Sequence, residues 1–94
     1  MNENLPMNEE KQAAVRALKT AAGQIDGIIR MIQEGRYCID VSNQLFAASA
    51  MLKRANLLIL RQHMDHCVKT AVKHGDADEK IAEIMDILSK VMDR

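Results

Sequence analysis

The stretch "RQHMDHCVKT", Arg61 to Thr70, holds two of the chain's three histidines and one of its two cysteines. Imidazole nitrogen and thiolate sulfur are donors that suit soft and borderline metal ions. His63 and Cys67 stand four residues apart, so on a helix they fall within about 40° of one azimuth. His66 and Cys67 are adjacent and point about 100° apart. The pair able to share one ion is therefore His63 with Cys67. Alone, such a pair is more often a buried thiol beside a surface histidine.

The other cysteine, Cys38, changes the weighing. It lies upstream in "GRYCIDVSNQ", and no glycine or proline interrupts the chain from there to Gly75. Both halves thus fall on one helix of about 33 residues, roughly 50 Å long. Cys38 precedes His63 by about 37 Å along that helix, far outside any ligand shell. Two such helices packed antiparallel would bring Cys38 of one chain beside His63 and Cys67 of the other, and twofold symmetry would make two identical sites. Two thiolates with one imidazole favour Cu(I). Zn(II) would want a fourth ligand, for which His66 or a carboxylate is available. The rival reading is a redox dithiol, in which the same cysteines form a disulfide or polysulfide bridge. Enzyme chemistry is not expected, because no glycine-rich loop or oxyanion element accompanies the Cys–His pair.

The elements that must position these residues are helical. The chain has 94 residues, 48% hydrophobic, with one Tyr, one Phe, four Gly and one Pro. That mix supports an all-α domain and leaves little turn chemistry for strands. Residues 1–7 are expected to be a loose tail and residues 8–94 a single helical domain. The first helix should start at Asn8 as N-cap, with Glu9 and Glu10 offsetting the helix dipole, and end at Gly35 in a left-handed turn. Its apolar stripe reads Val15, Leu18, Ala22, Ile25, Ile29 and Ile32. Gly23 and Gly27 within it are either a tolerated cost or a point of close helix approach. The long central helix should be capped by Asp40 and carry Val41, Leu45, Ala48, Leu52, Ala55 and Ile59 on one face. A third helix over 78–92 follows, capped by Asp76 or Asp78, with Ile81, Ile84, Met85, Leu88 and Met92 as its stripe. A central helix this long does not fit a compact monomer, so partner chains should cover the apolar stripes.

Formal net charge is zero, but charge is unevenly distributed. Residues 1–10 hold three acids and no base, residues 11–73 ten bases against four acids, and residues 74–94 three bases against six acids. A basic centre can present a positive face to nucleic acid or be merely solvated. The absence of aromatic platforms disfavours single-stranded nucleic acid. "MNENLPMNEEK" lacks the apolar region of a secretory signal, and two thiols fit a reducing cytoplasm. No run reaches membrane-spanning length.

The motifs "GQIDGI", "RYCIDV" and H-x-x-x-C are similar to those of the copper-sensing operon repressors (CsoR), a family that also holds nickel/cobalt, formaldehyde and persulfide sensors. The resemblance spans about residues 9–92. It implies a three-helix protomer with one long central helix, antiparallel dimers that assemble as a dimer of dimers, and repression by binding operator double-stranded DNA. It implies Cu(I) as regulatory ligand at Cys38, His63 and Cys67, with Tyr37 and Glu83 coupling metal to DNA affinity. His63 separates the chain from persulfide sensors, and Cys67 from formaldehyde sensors. Arg54 matches a basic DNA-binding position, Arg16 and Lys19 lie on the similarly basic first helix, and Lys53 and Arg61 can add to them. Two positions often occupied by Arg in relatives are Ala17 and Ala22 here, which implies a thinner positive face. The expectation is a cytoplasmic homotetramer whose apo form holds its operator and whose Cu(I) form releases copper-homeostasis genes. A thiol-redox sensor on the same scaffold, or a metal-binding helical oligomer with no DNA role, are the alternatives.

Overall fold

A computed structural model of the chain describes residues 7–75 and 77–92. Three helices follow in order, with no strand among the described residues: α1 (Glu9–Gln33), α2 (Cys38–His74) and α3 (Ala77–Met92). Most of the expected tail lies outside the described residues, and Met7 is exposed.

The ends of α1 follow from capping chemistry. Asn8 is extended (φ −129°, ψ −177°), and its Oδ1 accepts from the Lys11 N–H at 2.9 Å. At the other end Gly35 takes φ +71°. Its N–H donates to the Ile32 carbonyl (3.1 Å) and the Arg36 N–H to the Met31 carbonyl (2.9 Å). This is a Schellman closure, which satisfies two otherwise orphaned carbonyls and needs a residue free to enter the left-handed region. The closure leaves only Tyr37 before α2 begins. The Val41 N–H donates to the Tyr37 carbonyl at 3.1 Å, so Tyr37 takes the cap position, three residues before Asp40. Asp40 is therefore inside the first turn and is not the cap. The helix runs unbroken for 37 residues to Gly75, which sits at φ +80°. Helix α3 also starts one residue early, with Asp78 in its first turn. Asp76, the other cap candidate, lies outside the described residues.

Helix α1 packs on α2, α3 packs on α2, and α1 and α3 do not meet among the described residues. The seam between α1 and α2 is built from small side chains. On α1 the buried residues are Ala14, Ala17, Ala21 and Ile28, with Glu10, Gln24 and Met31 half-buried. These are two interleaved seven-residue series. On α2 the matching series is Val41, Ala48, Ala55 and Gln62, flanked by Met51 and Leu58. Ala14, Ala17 and Ala55 form its centre, against which Met51 and Leu58 pack. Seven-residue repetition fits an antiparallel coiled-coil contact, and alanine at the knobs lets the axes approach toward the short end of the 8–10 Å range.

The stripes expected from sequence divide accordingly. Val15, Leu18, Ile25, Ile29 and Ile32 are exposed and form the outward face of α1, not its inner one. On α2, Ala48 and Ala55 point inward while Leu45, Leu52 and Ile59 point out. On α3, Ile84 and Val91 are buried, Leu88 is half-buried, and Ile81, Met85 and Met92 are exposed. A Cβ added at Gly23 or Gly27 would meet nothing within 4 Å, so neither glycine serves a close approach within the chain. The molecule measures 57 × 27 × 18 Å and exposes 7056 Å². A compact monomer of its 10.6 kDa would expose about 5,500 Å². The excess and the large outward aliphatics make the single chain an incomplete core.

Candidate functional site

His63 and Cys67 are both half-buried and sit one turn apart on α2. Cys67 Sγ and His63 Nδ1 are 3.4 Å apart, a hydrogen bond whose donor depends on the imidazole tautomer. Two donors bound to one ion at metal–nitrogen and metal–sulfur lengths of about 2.0 and 2.3 Å stand roughly 3.5 Å apart at a tetrahedral angle and roughly 3.7 Å at a trigonal one. The helix thus presents the pair already at the spacing of two ligands, and the residues fit a thiophilic ion. The proton held between Sγ and Nδ1 must leave before both atoms can donate to a metal.

Cys38 is the first residue of α2, exposed, and neither cysteine is in a disulfide. Because α2 is continuous, Cys38 remains about 37 Å from His63 along the axis. Among the described residues no three His, Cys, Asp or Glu side chains of the chain could hold one ion together. One chain therefore offers a two-donor half-site in the last third of α2 and a lone thiol at its start. His66 is exposed, and its carbonyl accepts from Thr70 Oγ1 at 3.0 Å. Tyr37, next to Cys38, is 68% exposed. Glu83 is on α3, the helix that packs on α2, and its Oε2 is 3.8 Å from Lys80 Nζ. That surface ion pair at i, i+3 contributes little stability.

The basic residues gather elsewhere. One hollow between α1 and α2 is lined by Glu9, Glu10, Gln12, Arg16, Leu58 and Arg61, with Ala13. A second, on α2, is lined by Lys53, Arg54, Leu57, Leu58 and Arg61, with Ala50. Leu58 and Arg61 belong to both, so the two hollows adjoin, and together Arg16, Lys53, Arg54 and Arg61 line this groove. Lys19 is exposed but lies outside this lining. Arg61, secondary in the sequence reading, joins the two parts. Glu9 and Glu10, which the sequence offers as partners of the helix dipole, also line the hollow that holds Arg16. The signal was present, since Glu9 and Arg16 are seven residues apart and share a helix face. Ala17 is 3% exposed and packed in the α1–α2 seam. Ala22 is exposed, a surface position.

Among the described residues no helix is long and apolar enough to cross a membrane. Residues 10–90 match the family model described as metal-sensitive transcriptional repressor. A copper-sensing transcriptional repressor CsoR of Mycobacterium ulcerans is 42% identical over 80 residues, covering 85% of this chain and 68% of the relative. The Bacillus subtilis copper-sensing transcriptional repressor CsoR is 37% identical over 87 residues, covering 93% and 86%. The crystal structure of the copper-sensing repressor CsoR with Cu(I) from Geobacillus thermodenitrificans superposes with a TM-score of 0.76 at 31% identity, covering 92% of this chain and 91% of that one.

Proposed function

The chain belongs to the metal-sensitive transcriptional repressor family, and on that premise we propose that it is a Cu(I)-responsive repressor. Its apo form binds operator double-stranded DNA, and loading of a site shared between subunits lowers that affinity. The observation that carries the reading is the His63–Cys67 pair, held 3.4 Å apart on a helix whose only other thiol is out of reach. The missing donor is Cys38 of the partner subunit, supplied by antiparallel pairing of two α2 helices. The exposed aliphatics of α1 and α2 supply the surface that such pairing, and a further pairing of dimers into a tetramer, would cover. Cys38 at the start of one α2 and His63 with Cys67 in the last third of the other would hold the ion.

The donor set selects for Cu(I). Two thiolates and an imidazole saturate a three-coordinate soft ion, whereas Zn(II) would seek a fourth ligand. Tyr37 and Glu83 are the residues through which the site would bias the helices, Tyr37 by its place beside Cys38 and Glu83 from α3. Arg16, Lys53 and Arg54, with Arg61, would hold backbone phosphates along the groove, and Lys19 would add charge on the neighbouring face of α1. The protein acts by binding, not catalysis, in the cytoplasm, and the coupling is reciprocal between metal and DNA.

The test is fluorescence anisotropy with duplex DNA from the chain's own upstream region, anaerobically, with and without Cu(I). The apo protein should bind, and Cu(I) should weaken binding by about 5–150-fold, the usual span of allosteric coupling. His63→Ala should keep DNA binding and lose the Cu(I) response. If the apo protein binds no duplex at low salt, the repressor reading fails. If His63→Ala still responds to polysulfide while wild type ignores Cu(I), the dithiol reading replaces it.

A further inference from the structure

The groove between α1 and α2 is not uniformly cationic. Its α2 part carries Lys53, Arg54 and Arg61 with no acid in the lining. Its α1 part sets Glu9 and Glu10 beside Arg16 and Arg61. The first two residues of α1 thus place two carboxylates at one end of a basic track. We propose that Glu9 and Glu10 are affinity-limiting residues for nucleic acid, repelling backbone phosphate at the Arg16–Arg61 end of the groove. The proposal rests on the DNA-binding reading of that groove.

Three features support it. Asn8 caps α1 through its side chain, so the start of the helix does not rest on the two glutamates alone. The same hollow that presents Arg16 and Arg61 presents both glutamates, so a phosphate drawn to one end meets both signs. A repressor must also release its operator when loaded with ligand. A ceiling on apo affinity keeps the bound state within the few orders of magnitude that a coupling of ordinary size can reverse.

The experiment measures affinity of full-length protein for its own upstream duplex across a salt series. The double variant Glu9→Gln/Glu10→Gln should bind about threefold to tenfold more tightly at low ionic strength, the size expected of two solvent-screened charges, and the gain should shrink as salt rises. Gln12→Glu, which adds a third acid to the same hollow, should weaken binding. Asp86→Asn, on α3 and paired with Lys90 (3.3 Å), should leave affinity unchanged. Circular dichroism checks that each variant keeps its helix content. If Arg16→Ala and Arg61→Ala weaken binding while the Gln and Glu variants match wild type, the proposal is overturned and the groove reading stands. If wild type itself binds no duplex, both fall.

Discussion

Ala17 and Ala22 are five residues apart on α1, and the same substitution should have opposite consequences at the two. Ala17 is 3% exposed and packs against Ala14 and Ala55, with Met51 and Leu58 alongside. None of these neighbours can accept a hydrogen bond from a guanidinium. Ala17→Arg would therefore bury a charge without a partner, which costs about 3–5 kcal/mol. For a chain of this length that is about a fifth or more of a typical stability of about 5–14 kcal/mol. The midpoint of thermal unfolding should fall by at least about 12 °C. Ala22 is exposed, so Ala22→Arg should shift stability by no more than about 0.5 kcal/mol. It should also tighten operator binding modestly at low salt. Thermal circular dichroism at fixed protein concentration, with anisotropy on the same samples, reads both quantities. An Ala17→Arg protein with an unchanged midpoint and tighter DNA binding would refute the α1–α2 seam as described.

Two further outcomes follow from the geometry. Gly35→Ala forces a Cβ into the left-handed region at φ +71° and should destabilise the chain by about 1–2 kcal/mol, whereas Gly35→Asn should cost less; urea unfolding at one protein concentration checks the order. Arg54→Ala should weaken operator binding and lower the slope of log affinity against log salt by about 0.9 for each phosphate contact removed, so an unchanged slope would take Arg54 out of the DNA-contacting set.

The helices and their ends were readable where single residues act locally. Asn8 caps α1, Gly35 and Gly75 close α1 and α2, and the absence of a breaker between them made α2 long. Asp40 misled because cap preference is a side-chain property, while the start of α2 is set by how soon the Schellman closure hands the chain on. Helical periodicity found apolar faces but could not say which one stays in the chain. On α1 the large aliphatics carry the stronger pattern, yet the alanines meet α2, because small residues permit close packing. The His63–Cys67 pairing was legible, since i, i+4 spacing is a local fact. The groove was not, because Arg61 and the glutamates come together only once the register of α1 on α2 is fixed.

The central claim is that the metal site needs two chains, and a subunit-mixing experiment tests it most directly. One protein carries Cys38→Ala; the other, with a different affinity tag, carries His63→Ala/Cys67→Ala. Neither homodimer can form a complete site. Heterodimers isolated through both tags should recover one tight Cu(I) site per dimer in a chelator-competition titration. X-ray absorption on that site should show two sulfurs and one nitrogen. Recovery follows only if Cys38 of one chain joins His63 and Cys67 of the other. Heterodimers that bind no better than either parent would contradict the account.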